Sequence, residues 1–492
     1  VNLDLWLLLG SVVIIMAIVA VHVAHRSGLP SLLLYLALGL LLGESGFGIQ
    51  FDDPLLAETL GLAALVLILA EGGITTRWAD VREGVPAAIS LATVGTAVSI
   101  AVVAAAAHWL IGADWRIATL LGAALAPTDA AAVFSVLRRL PLPPRVSGVL
   151  EVESGFNDAP VIILVLALTA KHMPSSLVMA AQIAAELAIG AVVGLLVGWL
   201  GAYALRRVAL PASGLYPIAV LALAIGAYGA ASVVYGSGFL ATYLSALVLG
   251  NSPLPHRPAT RGFAEGLAWI AQIGLFIMLG LLASPSHLPA QIWPALVCGF
   301  ALVLVARPLS VLVSTPFLGL SRREQAFFSW AGLRGAVPIV LATVAMSAGV
   351  PRADALFVQV FIIVVVFTLL QGPTLPWLAR ALRLTIAEGS REIDVEAAPL
   401  EELHAELLDV RIPPDSLLDG VEIFELRLPP GALITLVVRD GKSFVPEPST
   451  RLQASDKLLV VTTSEARAAA EHRLRAVSRR GKLAGWYGER GD

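Results

Sequence analysis

Apolar runs of about 20 residues, enough to cross a hydrocarbon core roughly 30 Å thick as an α-helix, recur along this chain from Leu5 to about Leu382. No other feature limits the fold so sharply, because a backbone surrounded by lipid must satisfy its own hydrogen bonds. Mean hydropathy is +0.83 and only 14% of residues are charged, where soluble domains carry about a quarter. Most of the chain is therefore excluded from the soluble globular classes. Cys298 is the sole cysteine and sits inside an apolar run, so there is no disulfide framework or cysteine metal site, and the residue reads as packing.

Cutting the sequence at polar residues and Pro–Gly breaks gives thirteen spans, roughly 5–24, 29–43, 55–74, 85–110, 115–137, 147–170, 178–205, 214–235, 237–250, 262–283, 290–317, 324–348 and 354–382. The first lacks the basic flank and small-residue cleavage site of a signal peptide and reads as a true span. Loop charge tests the count, since cytoplasmic loops hold the excess of Lys and Arg. One alternating set of loops, from Arg26 to Arg383, holds fourteen arginines, whereas the other holds only Arg116, Lys171 and Arg352. A missed or invented span would reverse every later loop. The expected N-terminus is therefore outside and the C-terminus cytoplasmic.

Beyond Leu384 the character changes. "ALITLVVRDGKSFVP" and "DKLLVVTT" alternate like strands around turns. We expect a membrane domain over 1–384, a linker over 385–400, a small α+β cytoplasmic domain over 401–478 and a basic tail over 479–492. No strong nucleic-acid signature emerges, and the tail is either merely solvated or in contact with an anionic leaflet.

Thirteen spans divide as six, one and six, so the second sextet enters from the opposite side, as in the inverted repeats of many secondary transporters. The fifth span of each sextet is interrupted, by "ALAPTDAAA" and by "AGLRGAVPIV". Pro127 and Pro338 lack an N–H and release the carbonyls of Ala123 and Arg334, while Gly332 and Gly335 permit unwinding. Pro and Gly also kink ordinary membrane helices; two interruptions at matching positions, beside Asp129 and Arg334, favour an ion site lined by freed carbonyls, Thr128 and helix ends. "GSGFLA" at Gly236–Ala241 matches a relaxed dinucleotide fingerprint only inside an apolar span, where it means close packing.

Glu71, Asp129, Glu151, Glu153, Asp158 and Arg334 fall within spans or near their ends, and a charge facing lipid there costs about 2.5 to 3.5 kcal/mol. Each should face the interior and have a partner or a role. In "EVESGFNDAP" Ser154 and Asp158 are four residues apart on one helix face, and Glu153 and Asn157 form the adjoining pair. A monovalent cation wants oxygen ligands in place of its water, which Asp158, Ser154 and freed carbonyls could supply. A carboxylate held out of water needs either a proton or a cation, and one such group gives one proton per cation and an electroneutral cycle. Arginine keeps its proton, so Arg334 is expected to neutralise Glu153. Glu151 either carries ions or only marks a helix end; Glu71 is either functional or interfacial. Glu186 and Arg307 read as snorkelling or structural.

"APTDAAAV", "ESGFNDAP" and "WAGLRGAVPIVLA" together resemble the monovalent cation/proton antiporters, specifically the NhaP-type branch that includes bacterial cell-volume-regulation potassium/proton antiporters. The resemblance covers nearly the whole chain. It implies an all-α polytopic membrane protein of the bacterial inner membrane, with thirteen transmembrane helices in two inverted six-helix repeats, crossed broken helices, and usually a homodimer. It implies Asp158 as cation and proton carrier, with Ser154 and the Thr128 backbone as ligands, Asp129 and Asn157 organising the crossing, Glu153 paired with Arg334, and Glu71 assisting. Asn157 in place of a second aspartate resembles the electroneutral branch. "EPSTRLQASDKLLVVTT" is similar to the TrkA-C-like module of potassium-conductance regulators, which implies a regulatory domain and, as in some relatives, a nucleotide ligand such as cyclic di-AMP.

Three function classes remain open on the residues alone: an electroneutral antiporter of K⁺ or Na⁺ against H⁺ under control of its cytoplasmic domain, a ligand-gated cation channel, and an organic-anion symporter. A TVGYG-like filter is lacking, and paired broken helices suit alternating access better than conduction. Clustered carboxylates repel an anionic substrate. K⁺ is favoured over Na⁺ by the resemblance alone.

Overall fold

The computed structural model describes residues 3–481 apart from 28–29, 45, 138–141, 171–174, 284, 286–287, 317, 385–393, 401–404 and 464. The chain divides into two compact units, Val1–Thr385 and Ile386–Asp492.

The first unit is built of helices. It starts with α1 (Leu3–Ser27), α2 (Ser31–Leu42), α3 (Pro54–Thr75), α4 (Trp78–Val81), α5 (Val85–Ser90), α6 (Thr96–Ile111) and α7 (Trp115–Leu125). Next come α8 (Ala130–Leu137), α9 (Pro144–Thr169), α10 (Ser176–Arg207), α11 (Leu215–Val233), α12 (Gly238–Asn251) and α13 (Arg257–Leu282). The unit ends with α14 (Leu288–Phe300), α15 (Arg307–Ser314), α16 (Arg322–Trp330), α17 (Ala336–Ser347), α18 (Ala353–Gln371) and α19 (Leu375–Ala381). π-Helical turns at Leu91–Gly95 and Ala301–Ala306 join α5 to α6 and α14 to α15. Among the described residues eight helices are long and apolar enough to cross a membrane, and five apolar helices are shorter. This is a multi-pass helical membrane protein.

Local sequence sets several boundaries. Asp53 caps α3 by accepting from the N–H groups of Leu55 and Leu56, with Pro54 at the first position, where its missing donor costs nothing. Ser321 and Glu324 form a reciprocal capping box on α16. Small residues bring helices together: a Cβ on Gly39 would enter the backbone of α13 at Ile277, and one on Gly194 the backbone of α12 at Ala241. The close packing expected at Gly236–Ala241 is present, with Gly236 against Ile189 and Gly190.

Two interruptions position the site. The chain leaves α7 at Leu125 and resumes helix at Ala130; it leaves α16 at Trp330 and resumes at Ala336. The breaks lie against each other: the Asp129 N–H donates to the Leu333 carbonyl at 2.9 Å, and Arg334 Nε donates to the Leu125 carbonyl at 2.8 Å. The carbonyls that Pro127 and Pro338 release are taken up within the protein. Ala123 accepts from the Ala126 N–H and Arg334 from Thr368 Oγ1, so protein donors already meet the oxygens expected to face an ion.

The second unit is α+β. Strands β1 (Asp394–Leu400), β2 (Ala405–Arg411), β3 (Ala432–Arg439), β4 (Lys442–Phe444) and β5 (Lys457–Thr463) form one antiparallel sheet in the order β1-β2-β5-β3-β4, followed by α20 (Arg467–Arg480). Leu458, Val460 and Thr462 are buried while Lys457 and Thr463 are exposed, the alternation of a sheet with one covered face. The expected linker over 385–400 is corrected here. Residues 394–400 are a strand paired along β2, so the domain starts earlier than 401; an edge strand draws its stability from backbone pairing that composition does not reveal. Residues 482–492, most of the expected basic tail, lie outside the described residues.

Candidate functional site

Helix α9 runs past the two breaks and turns a stripe of Glu151, Ser154, Gly155 and Asp158 toward one cavity, as residues three, four and seven apart on a helix must. The cavity measures about 330 Å³. Glu71 and Thr75 of α3, Thr128 and Asp129 from the first break, Tyr243 of α12, Gln272 of α13 and Ala336 of α17 also line it. Gly155 makes the wall possible, because the Tyr243 ring occupies the space where a Cβ would stand.

Asp158 is 6% exposed, and its Oδ1 is buried without a hydrogen-bond partner. Such an oxygen is costly to keep unless something else reaches it. Thr128 is also buried, and its Oγ1 accepts from Asn157 Nδ2 at 2.8 Å. Asn157 therefore stands behind the cavity wall and orients Thr128. Asp129 caps α8, with Oδ1 accepting from the Ala132 N–H at 3.1 Å, and its carboxylate lies where a Cβ on Gly335 would be. A glycine at 335 is thus a condition for the two breaks to meet.

Glu153 points away from this cavity, and the expected pair with Arg334 is corrected. Its carboxylate is held by Arg307, Nη1 to Oε1 at 2.5 Å and Nη2 to Oε2 at 2.9 Å, while Arg307 Nε donates to the Phe328 carbonyl at 3.0 Å. Arg334 instead serves backbone, bonding the carbonyls of Leu125 and Gly332. A guanidinium at the carboxyl end of α7 meets the negative end of that helix dipole. The pairing was hidden because Arg307 follows an apolar run and reads as a helix-end residue; its buried depth comes from the packing of α15 on α16. Tyr243 and Gln272 of the cavity wall carried no signal in the sequence, being ordinary members of apolar helices.

A family model described as "Sodium/hydrogen exchanger, transmembrane" matches residues 12–381. The chain belongs to the sodium/hydrogen exchanger family. In this exchanger a TrkA-C domain match follows over residues 407–475, which overlaps the sheet and α20. The exchanger is 37% identical over 472 residues to the K(+)/H(+) antiporter NhaP2 of Shewanella sp. (strain MR-4), covering 94% of this chain and 81% of that one. It is 35% identical to the K(+)/H(+) antiporter NhaP of Alkalimonas amylolytica over 468 residues, covering 93% and 81%. The solved sodium proton antiporter MjNhaP1 of Methanocaldococcus jannaschii at pH 8 has a similar fold, with a TM-score of 0.64 at 21% identity over 76% of this chain and 100% of that chain.

Proposed function

We propose that this exchanger is an electroneutral antiporter that trades K⁺ for H⁺ by alternating access, with Asp158 as the carrier of both. The observation that carries the reading is the buried, unpartnered Asp158 Oδ1 beside Ser154 and Thr128 in the cavity. Bound cation and bound proton exclude each other there, since either neutralises the single carboxylate and a buried charge must be neutralised. Asp129 and Asn157 position the ligands, and Glu71 supports the approach. The potassium assignment rests on the relatives named as K(+)/H(+) antiporters; a low-affinity Na(+)/H(+) antiporter, NhaS1 of Synechocystis, is 27% identical, so Na⁺ belongs in the same test.

The alternating-access part of the reading uses thirteen crossings in two inverted sextets. Support comes from the π-helical turns, which fall in the fourth span of each sextet, as the breaks fall in the fifth. The packing is reciprocal: α15 lies on the π-turn Leu91–Gly95, and α6 lies on the π-turn Ala301–Ala306, as a pseudo-two-fold axis requires. In this reading the N-terminus is outside, the second unit is in the cytoplasm of a bacterial cell and regulates transport, and the protein is a homodimer. Cyclic di-AMP is the first nucleotide to test on that unit.

Proteoliposomes holding a pH dye, with K⁺ or Na⁺ added against an imposed proton gradient, test the function. Cation-dependent alkalinisation that is lost in Asp158→Asn is expected. Full activity in that variant, or none in the wild type with either ion, overturns the reading.

A further inference from the structure

We propose that a crevice between the π-turn Ala301–Ala306, α16 and α19 is a binding site for one anionic phospholipid, with an acyl chain in the crevice and the phosphate on Arg322, Arg323 and Arg380. The crevice is separate from the ion cavity and shares no lining residue with it.

It measures about 370 Å³ and is walled by Leu304 and Pro308, by Ala326 and Trp330 of α16, and by Trp377 and Leu378 of α19. The polar groups among its walls are already spent inside the protein. Trp330 Nε1 donates to Thr374 Oγ1 at 2.8 Å, the Thr374 hydroxyl donates to the Gln371 carbonyl at 2.8 Å, and the Ser329 hydroxyl donates to the Gln325 carbonyl at 2.7 Å. Walls that offer water no hydrogen bonds favour hydrocarbon. Leu304 and Trp377 are 58% and 68% exposed, so the mouth of the crevice faces the bilayer, which supplies that hydrocarbon.

Charge at one end decides which lipid. Arg322 and Arg323 precede Ala326 by four and three residues on α16, and Arg380 follows Trp377 by three on α19, spacings that set them on the helix faces that line the crevice. All three are exposed, and among the described residues none of them forms a salt bridge. The neighbouring Glu324 carboxylate is turned back to accept from the Ser321 N–H. Guanidinium groups without counter-carboxylates favour an anionic headgroup over a zwitterionic one. Depth agrees with this placement: α16 rises about 12 Å from Arg322 to Trp330, close to the roughly 15 Å of hydrocarbon in one leaflet. A chain whose phosphate rests on the arginines therefore reaches Trp330, the last residue before the second break, and Pro308, which follows the Arg307 that holds Glu153.

Full-length protein in phosphatidylcholine vesicles tests this, with a small fraction of either phosphatidylglycerol or phosphatidylcholine brominated on its acyl chains, because bromine quenches a tryptophan that it touches. At the same mole fraction, brominated phosphatidylglycerol should quench the wild type about threefold more than brominated phosphatidylcholine. Trp377→Phe should lose most of that excess, and Arg322→Gln with Arg323→Gln should bring the two lipids to nearly equal quenching. Equal quenching in the wild type, an excess undiminished in Trp377→Phe, or an excess indifferent to the arginine substitutions overturns the site. If the double variant fails to reach the membrane, Arg380→Gln decides by the same outcomes.

Discussion

Arg307 and Glu153 are joined by two parallel hydrogen bonds in the middle of the membrane unit, with side chains only 4% and 2% exposed. The pair ties α15 to α9, the helix whose Glu151, Ser154 and Asp158 line the cavity. Neither partner has water to fall back on, so the pair behaves as one neutral unit.

Breaking it should be costly. Arg307→Ala leaves the Glu153 charge buried and alone, and should cost about 3 to 5 kcal/mol of stability. Thermal unfolding in detergent should show a clear drop, with Arg334→Ala failing to imitate the change in Glu153→Gln. The double substitution Glu153→Leu with Arg307→Met should recover most of the loss, since an apolar pair of similar volume carries no desolvation penalty.

In the proposed cycle, competition between proton and cation at Asp158 sets the sign of the pH response. Acidification fills the carboxylate with protons, so the apparent KM for the cation should rise as pH falls, approaching about tenfold per pH unit at the acid limit, while maximal rate at saturating cation holds. Initial rates over a matrix of pH and K⁺ concentrations check this. A KM indifferent to pH would place the proton elsewhere.

A single exchanging carboxylate implies no net charge movement. Recordings on solid-supported membranes should show no sustained current on a K⁺ jump, although the pH dye reports turnover in the same vesicles. A current of the size expected for two protons per cation would contradict the role given to Asn157, an amide that spends its donor on Thr128.

Gly335→Ala should abolish exchange. The added methyl meets the Asp129 carboxylate and the rigid break around it, so the Asp129–Leu333 bond and the crossing should separate. Expected results are a normal helical content and a lost turnover, measured by circular dichroism and the pH-dye assay.

In the second unit Asp456 is fully buried and accepts two bonds from Arg439, at 2.8 and 2.7 Å, and one from the Gln453 N–H at 2.8 Å. Arg439→Ala should cost about 2 to 3 kcal/mol by leaving a buried carboxylate short of donors. Limited proteolysis of the full-length protein should then cut the sheet region at lower protease concentration, with residues 54–371 still protected.

The site was legible in the sequence wherever polarity conflicted with an apolar surrounding. Glu71, Thr128, Asp129, Ser154 and Asp158 stood out because charge and hydroxyl do not belong in oil, and the structure brings all five to one cavity. Partner choice was not legible. Glu153 had two arginines within the membrane unit's apolar runs to choose between, and spacing along the chain says nothing about which of two distant helices packs on α9. The freed carbonyls of Ala123 and Arg334 followed from proline chemistry, but whether an ion or a protein donor meets them depends on what lies opposite. Tyr243 gave no sign at all, since an aromatic residue in an apolar helix is ordinary until a glycine on the facing helix makes room for it.

By itself the sequence determined that the first unit is helical and crosses a membrane, that two helices break, and that α9 bears a polar stripe within an apolar surrounding. These follow from local rules: apolar length, the missing proline N–H, and the periodicity of 3.6. Only the tertiary structure decided that the breaks bond to each other, that Arg307 holds Glu153, and that Asn157 serves Thr128. Those outcomes depend on which helix faces meet, and helix packing is fixed by small-residue contacts summed over the whole unit, which no single stretch of sequence contains.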